Sequence, residues 1–375
     1  MLSIFVAKLL PSLAIFLVNH YQYFKIMKTG RTIVELAQEL LEQQESKRDF
    51  HANTKSLTMV PNGEFQLETT SGLELMPATS YAHAQMASKL SIPKIYYDRM
   101  MRQSPHLLAE NVNHWLDERQ EETSLIRTLR GQMRAFLSSR YRIVDNHDIL
   151  AMVLPELSEM GSGIKIASCQ VTDERMYIKV INTDIEAAIA VGDPVQAGFI
   201  LSNGEIGNSS ISVEPFIYRL VCTNGLILKD KKQRKNHAGR SAENSDLYAI
   251  DTIQAIDDAF KLKIRDLVRN AISISTFQNA VGDMKIAKSN LITGNPVKAV
   301  EVTAKAIGLS ENESGLVLNH LIRSGDLSKF GMLNAVTRTA EDIESYDRAT
   351  EVERLGSSVL YLPTSTWGEV ATANN

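Results

Sequence analysis

Cysteine is nearly absent: the 375-residue chain holds two, Cys169 and Cys222. Each sits in an apolar strand-like run without the paired spacing that a disulfide framework, a zinc site or an iron–sulfur cluster needs. Two small buried thiols in a reducing compartment, the cytoplasm, are therefore expected. Sequence signatures of common chemistries are missing as well. There is no G-x-x-x-x-G-K-[ST] loop, no G-x-G-x-x-G after a strand, no H-E-x-x-H and no G-x-S-x-G. The eight histidines are scattered, so neither a metal nor a cofactor is expected. The acid pairs Asp173-Glu174 and Glu341-Asp342 read as solvated or helix-stabilising groups rather than catalytic ones. Binding is expected ahead of catalysis, although carboxylates distant in sequence could still be brought together by folding.

Long apolar runs are absent apart from one, Met1 to Val18, which Lys8 and Pro11 interrupt. No basic region precedes it and no small-residue cleavage site follows it. A capping-box pattern, Thr32 with Glu35, and helically spaced Ile33, Leu36, Ala37, Leu40 and Leu41 come next. The fold is thus expected to start near Met27, with residues 1–26 as an apolar extension. A membrane anchor at residues 1–18 is the alternative, and otherwise no membrane is expected.

An excess of positive charge is lacking too, because 40 basic residues face 44 acidic ones for a net charge of -4. That rules out an overall cationic coat and leaves local clusters as the source of any polyanion affinity. Two clusters exist. Arg127, Arg130, Arg134, Arg140 and Arg142 run with no acid between them, and Lys229, Lys231, Lys232, Arg234, Lys235 and Arg240 are set against Asp230 alone. The twelve residues from Lys229 to Arg240 can span ~40 Å when extended. Phosphates along one strand of a duplex lie ~3.4 Å apart, so several could be contacted at once.

Residues 27–123 read as a mixed α/β entry module, with a hairpin around Pro61-Asn62-Gly63 and helices capped near Thr79 and broken at Pro93 and Pro105. Residues 124–245 read as a β-rich core. Two strands follow Ser124, a helix follows Asp145-Asn146, and an antiparallel meander runs through Ile164 to Val171, Met176 to Ile181, Val195 to Leu201 and Ile211 to Val221. Asn224-Gly225 is expected to end that sheet. Residues 246–362 read as helical, including Val297 to Ile307, Glu311 to Arg323 and Thr339 to Arg354, and residues 363–375 as an irregular tail. The fold class is α+β: a central antiparallel β-meander with flanking helices and a helical C-terminal region.

Met133 to Asn146 (MRAFLSSRYRIVDN), Pro215 to Gly225 (PFIYRLVCTNG), His237 to Gly239 (HAG), Gly331 to Thr337 (GMLNAVT) and Ala340-Glu341-Asp342 resemble an uncharacterised family of phage- and plasmid-related proteins, found on prophages and conjugative elements. At fold level the meander with basic stretches also loosely resembles the single-strand annealing proteins of the RecT and Red-beta type. That resemblance implies an ATP-independent DNA-binding, annealing or DNA-protecting factor in recombination, acting on single-stranded DNA as a homo-oligomer. Arg134, Arg140, Arg142, Lys231, Lys232, Arg234, Lys235 and Arg240 would hold the phosphates, with Tyr141 stacking a base and His237 near a phosphate. The competing expectation is a non-catalytic interaction factor that modulates a host enzyme, with the acidic stretch Glu341 to Glu353 as its contact surface.

Overall fold

The computed structural model describes residues 30–119, 122–221, 224–228, 234–235 and 250–374. Residues 1–26, including the apolar run, lie outside these. Among the described residues no helix is long and apolar enough to cross a membrane.

The expected capping box opens the fold. Thr32 Oγ1 accepts from the Glu35 N–H at 3.2 Å and the Glu35 carboxylate accepts from the Thr32 N–H at 2.7 Å, which satisfies two orphan donors at the start of α1 (Ile33–Ser46). An entry module follows. Strands β2 (Leu57–Met59), β3 (Phe65–Thr69) and β4 (Gly72–Met76) form one sheet, while β1 (Lys47–Asn53), β5 (Thr123–Leu129) and β6 (Gln132–Ser138) form another in the order β1-β5-β6. Helices α2 (Ser80–Lys89), α3 (Lys94–Gln103) and α4 (Pro105–Asp117) cover them. Leu57, Phe65, Leu67, Met86, Tyr97, Val112, Ile126 and Phe136 share the core that results.

Strands β5 and β6 pair with β1 in a sheet separate from the meander, a partner that the sequence alone does not predict. The reason is that β1, KRDFHAN, has no apolar alternation to announce it. Its ladder to β5, from Lys47 opposite Leu129 to Asn53 opposite Thr123, is what makes it a strand.

Helix α5 (Asn146–Glu159) leads into the meander, β7 (Ile164–Val171), β8 (Met176–Ala190), β9 (Asp193–Asn203) and β10 (Ile211–Arg219). All its ladders are antiparallel, with consecutive strands adjacent as expected. The Asn224-Gly225 turn does not end this sheet; it reverses the chain into β11 (Gly225–Ile227), which pairs with β10. A two-residue strand, β12 (Arg234–Lys235), then pairs with the beginning of the same β10. The fold is α+β, as the sequence implied.

Period-2 alternation sorts the sheet's side chains. Met176, Ile178, Val180, Phe199, Leu201, Ile211 and Val213 pack with Leu36, Leu40, Ile149 and Val153 of α1 and α5, and with Ile264 of α6 (Ile250–Arg269). Tyr177, Ile181, Ile200, Phe216 and Tyr218 point the other way, toward Tyr346. The central strands are consequently buried on both faces, whereas most antiparallel sheets leave one face wet.

The C-terminal helices are α7 (Ile274–Ser289), α8 (Pro296–Ile307), α9 (Glu311–Ser324), α10 (Lys329–Thr339), α11 (Tyr346–Leu360) and α12 (Thr364–Ala371). Two expectations change here. The helix read from Thr339 to Arg354 is divided, because α10 ends at Thr339 and Ser345 caps a new helix by accepting from the Arg348 N–H at 3.3 Å. The presumed tail instead carries α12, whose Trp367 and Val370 are buried in the same core as Phe277, Val317 and Val336. Two buried apolar side chains contribute about 1.5–3 kcal/mol each, enough to hold a short helix that propensity alone would leave frayed.

Candidate nucleic-acid interface

Arginines that look free in the sequence are mostly matched by carboxylates in the fold. Arg127 is fully buried, and its guanidinium donates to both Asp49 oxygens at 2.8 and 2.9 Å, to Asp145 Oδ1 at 2.7 Å and to the Glu205 carbonyl at 2.9 Å. Arg134, also buried, is paired with Glu205, and Lys47 Nζ lies 2.9 Å from Glu205 Oε1 and 3.5 Å from Asp145. Glu205 Oε1 also accepts from the Asn146 N–H at 2.6 Å, so a carboxylate from the β9–β10 connection sits on the N-terminus of α5, where the helix dipole favours negative charge. This is why Asp145, although it stands at the N-cap, makes no capping bond: its oxygen is engaged by Arg127. Burial acts to raise the Glu205 pKa, but Arg134, Lys47 and Arg127 together hold it down at about 2. Three cations and three carboxylates close the junction between entry module and central sheet. Arg130 is likewise taken up, by Glu39 at 3.0 Å.

The stretch Arg140–Arg142 meets the connection between β9 and β10 through Tyr141. Arg140 is exposed, and its guanidinium has no partner among the described residues. Tyr141 donates its hydroxyl to the Gly204 carbonyl at 3.3 Å, and burial pushes that hydroxyl up to about 12. Gly207, at φ +79°, completes the turn beneath it; a side chain there would meet Leu137 Cδ2 at 2.6 Å and come within 3.7 Å of the Tyr141 ring. Arg142 lies over the Phe260 ring of α6, 4.9 Å from its centroid.

The connection that Tyr141 grips, residues 204–210, runs directly into Ile211 and Ser212. These are the residues that pair with Lys235 and Arg234 of β12. Arg140–Arg142 and β12, about ninety positions apart in the chain, thus meet successive parts of one segment, Tyr141 at Gly204 and β12 at the first residues of β10. Arg234 and Lys235 are on the sheet's edge by their backbones, while Lys231, Lys232, His237 and Arg240 lie outside the described residues.

A second cluster was invisible in the linear sequence, although the stretches quoted above feed into it. Lys179, on β8, is fully buried, and its ammonium reaches both oxygens of Glu353 on α11 at 2.8 and 2.6 Å and lies 5.1 Å from the Tyr346 centroid. Burial pushes this lysine down while Glu353 pulls it back up. One residue on, Arg354 makes a fork to Glu214 of β10, with contacts of 2.8 to 3.2 Å. Tyr177 donates to Asp347 at 2.7 Å, and Ser168 and Tyr346 share a hydrogen bond at 2.8 Å. The acids of the stretch Glu341 to Glu353 are therefore largely committed to the fold: Asp342 to His320, Asp347 to Tyr177, Glu351 to Arg348 and Glu353 to Lys179. The only sequence signal was a lysine inside the apolar run MYIKVI.

Nearby, Asn224 meets α10. Asn224 Nδ2 donates to Thr337 Oγ1 at 2.5 Å, and Gly356 lets α11 approach so closely that a Cβ there would lie 2.3 Å from Thr337 Cγ2. Glu341, just past α10, has a buried Oε1 with no hydrogen-bond partner. Burial raises its pKa to about 7, with Asp342 and Glu353 adding to the effect and Arg338 opposing it. A carboxyl that is weaker in the folded state holds its proton there in preference to the unfolded chain, so stability falls as pH rises from about 4.5 to about 7. Glu341→Gln is expected to flatten that part of the profile, read as urea midpoints at pH 5 and pH 8. A midpoint difference equal to the wild type's would show that Glu341 does not titrate in this range.

Residues 135–305 match a family described as "Domain of unknown function (DUF932)". The matched span runs from β6 to near the end of α8, taking in the whole meander and both Arg140–Arg142 and the Lys229–Arg240 stretch, and it identifies an uncharacterised domain within the chain. Among curated proteins and among solved structures, nothing matches.

Proposed function

We propose that the protein is a nucleic-acid-binding factor of a mobile element that holds single-stranded DNA at the β9–β10 end of its sheet, for annealing or protection, as a homo-oligomer. The observation that carries this reading is that residues of two separate basic stretches meet one segment of the chain, Tyr141 at Gly204 of the β9–β10 connection and β12 at the first residues of β10. Arg140, Arg142, Arg234 and Lys235 are the phosphate contacts of this reading, with Lys231, Lys232, His237 and Arg240 in the adjoining chain. Arg134 is set apart from this group, since its charge is balanced by Glu205 inside the fold. A surface that holds phosphates needs neither nucleotide hydrolysis nor a metal, and its affinity comes from released counterions.

Fluorescence anisotropy of a labelled single strand across a salt series, with a matched duplex alongside, tests the reading. With about five phosphates neutralised, affinity is expected to fall roughly a hundredfold between about 50 and 200 mM salt. Charge reversal of Lys231, Lys232 and Arg234 together should remove most of the binding and leave the circular dichroism melt unchanged. Unaltered affinity in that triple variant would reject the assignment of these residues.

A further inference from the structure

An edge strand offers unpaired backbone groups to any other extended chain, and folds usually close such edges. The sheet β2-β3-β4 has two edges, and they are finished differently. On β2, Met59 turns its backbone outward: its N–H donates to Asn113 Oδ1 at 2.7 Å and its carbonyl accepts from Asn113 Nδ2 at 2.9 Å. A carboxamide of α4 thus takes the place of a neighbouring strand.

With Met59 facing out, Thr58 and Gln66 form a hydrogen-bonded pair, so Phe65, Leu67 and Thr69 turn their backbone groups toward β4. Their partners Met76, Glu74 and Gly72 face back, which leaves the N–H and C=O of Leu73 and Leu75 on the outer side. Among the described residues no backbone group meets them. The two side chains are 67% and 58% exposed, and β4 has no proline, lysine or bulge to protect it. Directly beyond it the chain is paired again, since the Pro77 carbonyl accepts from the Met133 N–H at 2.8 Å.

Charge selects what can lie there. Residues 56–88 include Glu64, Glu68 and Glu74 and no lysine or arginine. A second copy of the chain fits badly. Two β4 edges use all their outward groups only with Leu73 opposite the other copy's Leu75, which sets the two Glu74 carboxylates against each other in the close, non-hydrogen-bonded position.

We propose that the β4 edge docks an extended segment of another protein, with apolar residues opposite Leu73 and Leu75 and a lysine or arginine between them opposite Glu74. Main-chain hydrogen bonds supply the affinity and the alternating side chains the selection. The site lies in the entry module, ahead of the span 135–305 that matches the family, and does not depend on the nucleic-acid reading.

The test uses the full-length protein and a fluorescein-labelled peptide, Thr-Val-Lys-Val-Lys-Val-Thr, with Thr-Val-Glu-Val-Glu-Val-Thr as its counterpart. Both are followed by anisotropy at about 0.15 M salt, where long-range attraction is screened. The lysine peptide is expected to bind about tenfold more tightly, which combines a favourable cross-strand pair with the loss of an unfavourable one. Leu73→Pro is expected to abolish binding while the circular dichroism melt holds, because β3 does not use that N–H. Glu74→Lys is expected to invert the preference between the peptides, a readout that does not depend on the proline. Absent binding of the lysine peptide, equal binding of the two peptides, or unchanged binding by Leu73→Pro would overturn the proposal. So would a fall in sedimentation mass caused by Leu73→Pro, which would make the edge an interface between copies of the chain.

Discussion

Glu205→Gln is expected to remove about 3–5 kcal/mol of folding stability, the usual consequence of deleting one partner of a buried ion pair. The amide has almost the shape of the carboxylate, so packing is preserved and the change reports charge. Arg134, nearly inaccessible, would keep its charge with no carboxylate to meet it, Lys47 would keep only Asp145 at 3.5 Å, and the α5 N-terminus would lose its anion. The same group gives the wild type an acid limb. Because the folded pKa is about 2 against 4.5 for the unfolded chain, its contribution is complete above about pH 4.5 and is lost as the pH falls toward 2. Urea titrations at pH 7 and down an acid series check both statements. A Glu205→Gln protein as stable as wild type at pH 7 would mean that the network is energetically neutral.

The second large effect concerns Lys179 and Glu353. Either Lys179→Met or Glu353→Leu alone is expected to destabilise the protein by about 3–5 kcal/mol, since each leaves the other charge buried and unpaired. The double variant should recover most of the loss, because a well-packed apolar pair of similar volume often replaces a buried ion pair without penalty. A double-mutant cycle from urea midpoints measures the coupling, and strictly additive losses would show that the two residues do not act as a pair. What the pair contributes is register. Lys179–Glu353 and Arg354–Glu214 lock consecutive positions of α11 onto neighbouring parts of the sheet, so a slip of α11 by one residue would misplace both.

How much of this was legible in the chain follows from the range over which each signal acts. The capping box at Thr32, the Thr79 cap, the Pro61-Asn62-Gly63 hairpin and the meander were readable because each depends on residues within a few positions of one another. Strand β1 was not, because its only claim to be a strand is its ladder to β5, seventy or more residues away. Helix α12 was missed for the same reason: Trp367 and Val370 signal nothing until α7 to α11 provide a core to enter. The two basic stretches were visible as charge, but the engagement of Arg127 and Arg134 by carboxylates was not, since Asp49, Asp145 and Glu205 come from three separate elements.

The sequence by itself determined the composition of local elements, the α+β class, the antiparallel order of the meander and the presence of two cationic segments, all consequences of short-range periodicity and charge spacing. Tertiary structure decided that Arg127 and Arg134 are matched by carboxylates, that Phe136, Tyr141 and Phe260 are packed into the fold, and that Tyr141 and β12 meet successive parts of one segment. Those outcomes depend on which distant groups folding brings within a few ångströms of one another, and hydrogen bonds and charge compensation in a buried site act only at that distance.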